Sequence, residues 1–228
     1  MAQTFNNLVE KGLVNMCGKI GFKKRKYNFY KPMNELVYAT LGFPLAKHVA
    51  KGHIYVNVVV GVLHKNVENL YYKLTGYNRL DIMQPTIGNT IDDLISGNSY
   101  KEWDFIEGED NSHLYDDILY CIQTYGFPYQ KKMKDFDNLL EAFEERAPGI
   151  LNQARDRYLP ILYYLKGDKQ KGLKFIEEAI ERQKQPISEA ELERLKKLAG
   201  PGGQVIIGSG IGKVDPEYLK FAENYKAL

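Results

Sequence analysis

Cysteine is scarce: Cys17 and Cys121 are the two in the whole chain of 228 residues. A disulfide framework is thereby excluded, and each thiol falls in an apolar stretch of helical period, where a buried free cysteine is expected. Histidine is scarce too, with His48, His53, His64 and His113 far from any H-E-x-x-H spacing and from either cysteine, so no zinc site is expected. The G-x-S-x-G elbow of serine hydrolases is missing, and "GSG" at Gly208–Gly210 has no histidine after it. No apolar run approaches the ~18 residues of a membrane-spanning helix. The opening "MAQTFNNLVEKGLV" has no basic segment leading into an apolar one, so a soluble, cytoplasmic chain is expected.

Glycine is abundant in one place. "GPGGQVIIGSGIGK", residues 200–213, holds six glycines and a lysine. A Walker loop would need glycine where Ile207 stands and a hydroxyl where Val214 stands. The G-x-G-x-G of Gly208–Gly212 is not the dinucleotide fingerprint, and too little chain follows it for a βαβ unit. A short strand and turn are expected there, followed by a last helix opened by Asp215 and Pro216. No cofactor is implied.

The formal net charge of +2 conceals a segregation. Residues 1–79 carry 12 Lys and Arg against 3 Asp and Glu, whereas residues 80–120 carry 1 against 10. The two segments either neutralise one another across the fold or face partners.

Periodicity supplies the elements. Phe5, Leu8, Val9, Leu13, Met16, Cys17 and Ile20 recur at spacings of three and four, which predicts an amphipathic helix capped by Thr4 and ended by Gly21. Three runs rich in valine and aromatics follow, "FKKRKYNFYKP", "NELVYATLGF" and "GHIYVNVVVGVL", and predict adjacent antiparallel strands over 22–63. In the third, Ile54, Val56, Val58, Val60 and Val62 share the core face, with His53, Tyr55, Asn57, Val59 and Gly61 opposite. "EWDFI" alternates as an acidic edge strand. Helices are expected after Ser112, after Asp135, as a hairpin joined at Gly167–Asp168, and after Ser188 in capping-box spacing with Glu191.

Two charged constellations are candidate sites. Lys23, Lys24, Arg25, Lys26 and Lys31 with Tyr27 and Tyr30 combine cations and rings as single-strand nucleic-acid binders do; a solvated strand entry is the plainer reading. Glu102, Trp103, Asp104, Glu107, Glu109 and Asp110 suit a basic protein partner, and their carboxylates are hard-oxygen ligands of the type a metal-dependent hydrolase uses. A rigid metal site is not expected. Glu102 and Asp104 share a strand face, Glu107 has changed sides, and Glu109 and Asp110 lie past Gly108.

The order of these pieces, "GFKKRKYNFYK", "IYVNVVVGV", "EWDF" and "YGFPYQKKMKDFDNLLEAF", resembles a bacterial family of uncharacterised α+β domains catalogued as a domain of unknown function. Gly21, Phe22, Lys23 and Lys24 match its turn, Val56, Asn57 and Gly61 its later strand, and the resemblance spans residues 5–145. It brings no catalytic residue with it. By analogy with small α+β immunity proteins it implies an interaction role.

The resulting expectation is an α+β fold with a small antiparallel sheet covered by an N-terminal helix and a helical C-terminal half. Residues 1–147 form the α+β domain and 148–228 a helical extension packed on it. The expected function is a non-catalytic protein-interaction or immunity-like protein whose partner is another protein, with nucleic-acid binding or metal-dependent hydrolysis as alternatives.

Overall fold

A computed structural model of the chain describes residues 4–46, 50–77, 84–95, 100–185 and 213–228. His48, the helix expected after Ser188 and the glycine stretch up to Gly212 lie outside the described residues. The fold is α+β, with an N-terminal helix, antiparallel sheets and a largely helical C-terminal half. Residues divide into two compact units, Met1–Asn69 with Arg79–Leu151 and Leu70–Asn78 with Asn152–Leu228.

In the first unit, α1 (Phe5–Lys19) buries the stripe Val9, Leu13, Met16 and Cys17. Thr4 stands at its N-cap position without a side-chain cap bond. Its C-terminus closes at Gly21, whose φ of 84° is costly for any residue with a Cβ. The Gly21 N–H donates to the Gly18 carbonyl at 3.1 Å and the Phe22 N–H to that of Cys17 at 3.0 Å, satisfying two terminal carbonyls in the paired pattern of a Schellman motif.

The three predicted strand runs become five strands, which with three more form two antiparallel sheets. Strands β1 (Lys23–Arg25), β2 (Asn28–Pro32), β3 (Val37–Gly42), β6 (Val59–His64) and β7 (Ile87–Thr90) form one sheet in the order β1-β2-β3-β6-β7. Strands β4 (Leu45–Ala46), β5 (His53–Val56) and β8 (Trp103–Ile106) form the other, in the order β4-β5-β8. The first run breaks into a hairpin because Lys26 takes a φ of 52°, so Arg25 pairs with Asn28 across a two-residue loop. Past that turn Phe29 and Tyr30 are both buried, on opposite faces of an interior strand. The third run breaks at Asn57–Val58, and its halves enter different sheets.

Helices α2 (Lys65–Thr75) and α3 (Ile91–Leu94) follow β6 and β7. Then α4 (Ser112–Cys121), a π-helical turn (Ile122–Gly126) and α5 (Phe127–Met133) run without interruption. Pro128 has no N–H for the preceding turn, and the wider π turn carries the chain past it. Ser112 is the first helical residue and not the cap. The N-cap is Asn111, whose side chain is taken up by both backbone groups of Ile106. Asp135 caps α6 (Phe136–Glu144) by accepting from the N–H groups of Asp137 and Asn138.

One buried histidine sits at the end of β6. The His64 ring donates from Nε2 to the Met133 carbonyl at 2.9 Å, and its backbone N–H donates to Thr86 Oγ1, which donates in turn to buried Glu68. Burial lowers the imidazole pKa below 6.5, against the opposing pull of the Met133 carbonyl and of Asp135. The unfolded chain then takes up a proton at a pH where the folded ring stays neutral. Stability from this group is complete above about pH 6.5 and falls as the pH drops, by at most about 1.4 kcal/mol per unit. Urea denaturation between about pH 6.5 and 5 should show this slope, and His64→Gln should flatten it.

The second unit gathers α7 (Asn152–Leu165), α8 (Lys169–Lys184) and α9 (Pro216–Lys226) with the end of α2. Asp168 caps α8 through the Lys171 N–H, and Asp215 caps α9 through that of Glu217. Pro160 lies inside α7 and cannot bond to the Asp156 carbonyl one turn earlier. The Tyr218 hydroxyl donates to that carbonyl at 3.1 Å, and the Tyr225 hydroxyl to the Pro160 carbonyl at 3.0 Å. Tyr225 fits because position 172 has no side chain: a Cβ there would stand 1.9 Å from the phenol oxygen. Gly172→Ala should therefore destabilise this unit by about 1–3 kcal/mol in chemical denaturation. Gly18→Ala, whose Cβ meets nothing within 4 Å, should instead stabilise by about 0.5–1 kcal/mol.

Candidate functional site

The acidic segment forms the edge strand β8 of the three-stranded sheet, paired with β5 alone. Alternation turns Trp103 and Phe105 into the core and leaves Glu102, Asp104 and Ile106 half-buried on the outer face. Trp103, read from the sequence as a contact residue, is 3% exposed; its indole N–H donates to Asp117 at 2.8 Å. Lys101 reaches the same carboxylate at 2.9 Å. Burial works against charge on Asp117, but Lys101 and Trp103 outweigh it and hold the carboxyl below its ordinary range.

The register brings β5 side chains beside these carboxylates, with Tyr55 opposite Asp104 and His53 opposite Ile106. His53 Nδ1 lies 3.0 Å from both carboxylate oxygens of Asp104. Asn57 Nδ2 and the Tyr100 hydroxyl each donate to Glu102 Oε1 at 2.9 Å. Tyr100 itself is 71% exposed, and the His53 and Tyr55 rings stack at 6.1 Å. Beyond the strand, Glu107 donates its backbone N–H to the Gly52 carbonyl, and Asp110 accepts from the Ser112 N–H, which holds its carboxyl below the usual value. Glu107, Glu109 and Asp110 are exposed around the turn at Gly108. The outer face of β5–β8 is thus an acidic surface with two carboxylates fixed by neighbours and three more along a turn.

The sequence separates these partners by about a third of the unit's length, Asn57 from Glu102 by 45 positions and His53 from Asp104 by 51. Alternation already assigned His53, Tyr55 and Asn57 to the face away from the core. Their role as holders of the acidic strand depends on the β5–β8 pairing, which no local pattern encodes.

The basic candidates occupy the β1–β2 hairpin. Lys23, Lys24 and Arg25 are exposed along the edge strand, and Lys26 and Tyr27 form the tip, where Tyr27 is 85% exposed. Alternation sends Lys24 to the α1 side, where it meets Glu10 at 3.4 Å, and turns Lys23 and Arg25 the other way. Lys31 is turned inward, donating to the Ile20 carbonyl at 3.0 Å with its ammonium 5.9 Å and 5.5 Å from the Phe22 and Phe127 rings. Tyr30 is buried. The seven residues therefore do not line one track.

Neither cysteine is prepared as a nucleophile. Burial pushes the Cys17 thiol up to about 12, and pushes Cys121 up despite Lys101 at 3.3 Å from its sulfur. Among the described residues no helix is long and apolar enough to cross a membrane.

No family model, no curated protein and no solved structure matches this chain.

Among the described residues no group of three or more His, Cys, Asp and Glu side chains could hold a metal ion. Glu102 and Asp104 are engaged by Asn57, Tyr100 and His53, and the remaining carboxylates lie around the turn. Calorimetric titration with magnesium or manganese should show no saturable heat at micromolar concentration. A saturable site lost in Asp104→Ala would reverse this expectation.

Proposed function

We propose that this chain is a non-catalytic protein-interaction protein of the cytoplasm that docks a basic partner on the outer face of β5 and β8. The observation that supports it most directly is the fixing of Glu102 by Asn57 and Tyr100 and of Asp104 by His53 on an outward-facing sheet edge. A carboxylate already held in place loses little side-chain freedom when a lysine or arginine meets it, so more of the contact energy remains as affinity. Exposed Tyr100 and half-buried Tyr55 add the amphipathic ring surface that interfaces favour. Glu107, Glu109 and Asp110 extend the acidic field that steers a basic partner toward this edge. Two buried free thiols suit a reducing compartment.

The test compares the wild-type chain with Glu102→Gln/Asp104→Asn as bait in lysate of cells that express it. The expected result is a basic partner retained by the wild type, released by moderate salt, and lost by the variant with its circular dichroism unchanged. Equal recovery on both baits would remove this face as the docking surface.

A further inference from the structure

A second feature lies at the opposite charge extreme, at the end of the five-stranded sheet where β2 begins, β3 ends and β6 begins. A cavity of about 540 Å³ opens there, lined among others by Lys24, Lys26 and Tyr27 of the basic hairpin. Its volume lies within the roughly 300–1,000 Å³ of small-molecule sites. Leu13, Leu41 and Leu45 line it together with Phe29 and Phe43, whose rings meet edge to face at 5.4 Å. Glu10 is the one acidic residue of the lining against two lysines, so the lining is cationic, and Glu10 itself steadies Lys24 from α1. An apolar aromatic lining that also includes two lysines is complementary to one kind of molecule: a body that gains by leaving water, joined to a head group that carries negative charge.

We propose that this cavity binds a small amphipathic organic anion, with its apolar or aromatic body against Phe29, Phe43 and Leu45 and its carboxylate or phosphate head at Lys24 and Lys26. The size of the cavity and its apolar lining favour a discrete small molecule over a polymer. A nucleic-acid strand needs a continuous cationic track, and the alternation of β1 divides Lys24 from Lys23 and Arg25. The site is separate from the acidic face of β8, and its occupancy does not depend on that face.

The test uses 4-phenylbutanoate, 4-phenylbutyl phosphate and the neutral 4-phenylbutanamide in calorimetric titrations of the full chain, with amide-resonance mapping of the wild type. One or both anions should bind saturably at one site, the tighter of them assigning the head group, and the amide should bind about tenfold more weakly, the worth of one charge-assisted contact. Resonance changes should centre on Leu13, Phe29, Leu41 and Phe43. Lys24→Gln/Lys26→Gln should weaken the anions about tenfold and leave the amide unchanged. Leu45→Trp, which fills the floor, should abolish binding of all three. The proposal is overturned if neither anion binds, if amide and anions bind equally, or if the wild-type changes map elsewhere. It is equally overturned if single-stranded oligonucleotides bind the hairpin with affinity that grows with length and displaces the anions.

Discussion

The first unit is organised by one continuous alternation. Ile54, Val56, Val58, Val60 and Val62 are all at most 2% exposed, although the chain passes from one sheet to the other between Val56 and Val59. The parity of the side chains survives the crossing, so both sheets present Ile54, Val56, Val58 and Val60 to the same core. Phe29 and Leu41 enter that core from the larger sheet and Trp103 and Phe105 from the smaller. At the crossing itself the backbone finds other partners, Asn57 N–H to the Pro44 carbonyl at 3.1 Å and Ile91 N–H to the Val58 carbonyl at 2.8 Å. Each fully buried aliphatic side chain contributes about 1.5–3 kcal/mol, so five in register set where the strands on either side must lie. The acidic edge and the basic hairpin are positioned as consequences of that choice.

What could be read in advance follows from range. The stripe of α1, the core face of 54–62, the alternation of 103–106 and the caps at Asp135 and Asp215 are local patterns, and the chain adopts them. The turn between β2 and β3 is local as well: Asn34 Oδ1 accepts from the N–H groups of Leu36 and Val37. The hairpin at Lys26–Tyr27 was hidden, because its loop uses a lysine at positive φ where glycine, asparagine or aspartate would announce a turn. The division of the third run was hidden as well, since side-chain periodicity is the same whether a strand continues in one sheet or changes to another. In the candidate site the carboxylates were visible as residue types. Of the groups that hold them, Tyr100 is a near neighbour of Glu102, but His53 and Asn57 stand about fifty positions earlier and needed the pairing to be seen.

The helical unit shows the same dependence on distant partners in another form. Proline inside α7 removes a backbone donor, a defect that elsewhere would kink or end a helix. Here the orphaned carbonyl of Asp156 faces the Tyr218 hydroxyl, and Tyr225 takes the Pro160 carbonyl over a glycine on α8. Three helices are tied through two phenols, both of which burial drives to higher pKa and so keeps as donors. Two tyrosines thus serve this unit as hydrogen-bonding core residues.

Both charged segments turn out to be sheet edges, β1 of the larger sheet and β8 of the smaller. An exposed edge offers unpaired N–H and C=O groups to any passing strand, and like charges along it oppose such pairing. Each of these two edges carries one sign of charge, whereas the other two sheet edges, β7 and β4, carry no charged residue. Some of these charges have local partners: Lys24 pairs with Glu10 and Asp117 with Lys101, and Asp104 is hydrogen-bonded to His53. The two edges still differ in kind. Carboxylate side chains held by Asn57, Tyr100 and His53 make a surface of fixed geometry. Lysines carry about 2 kcal/mol of rotamer freedom each, so in the ligand site proposed above the apolar body would have to supply the fixing contact and the ammonium groups would need only to reach its head.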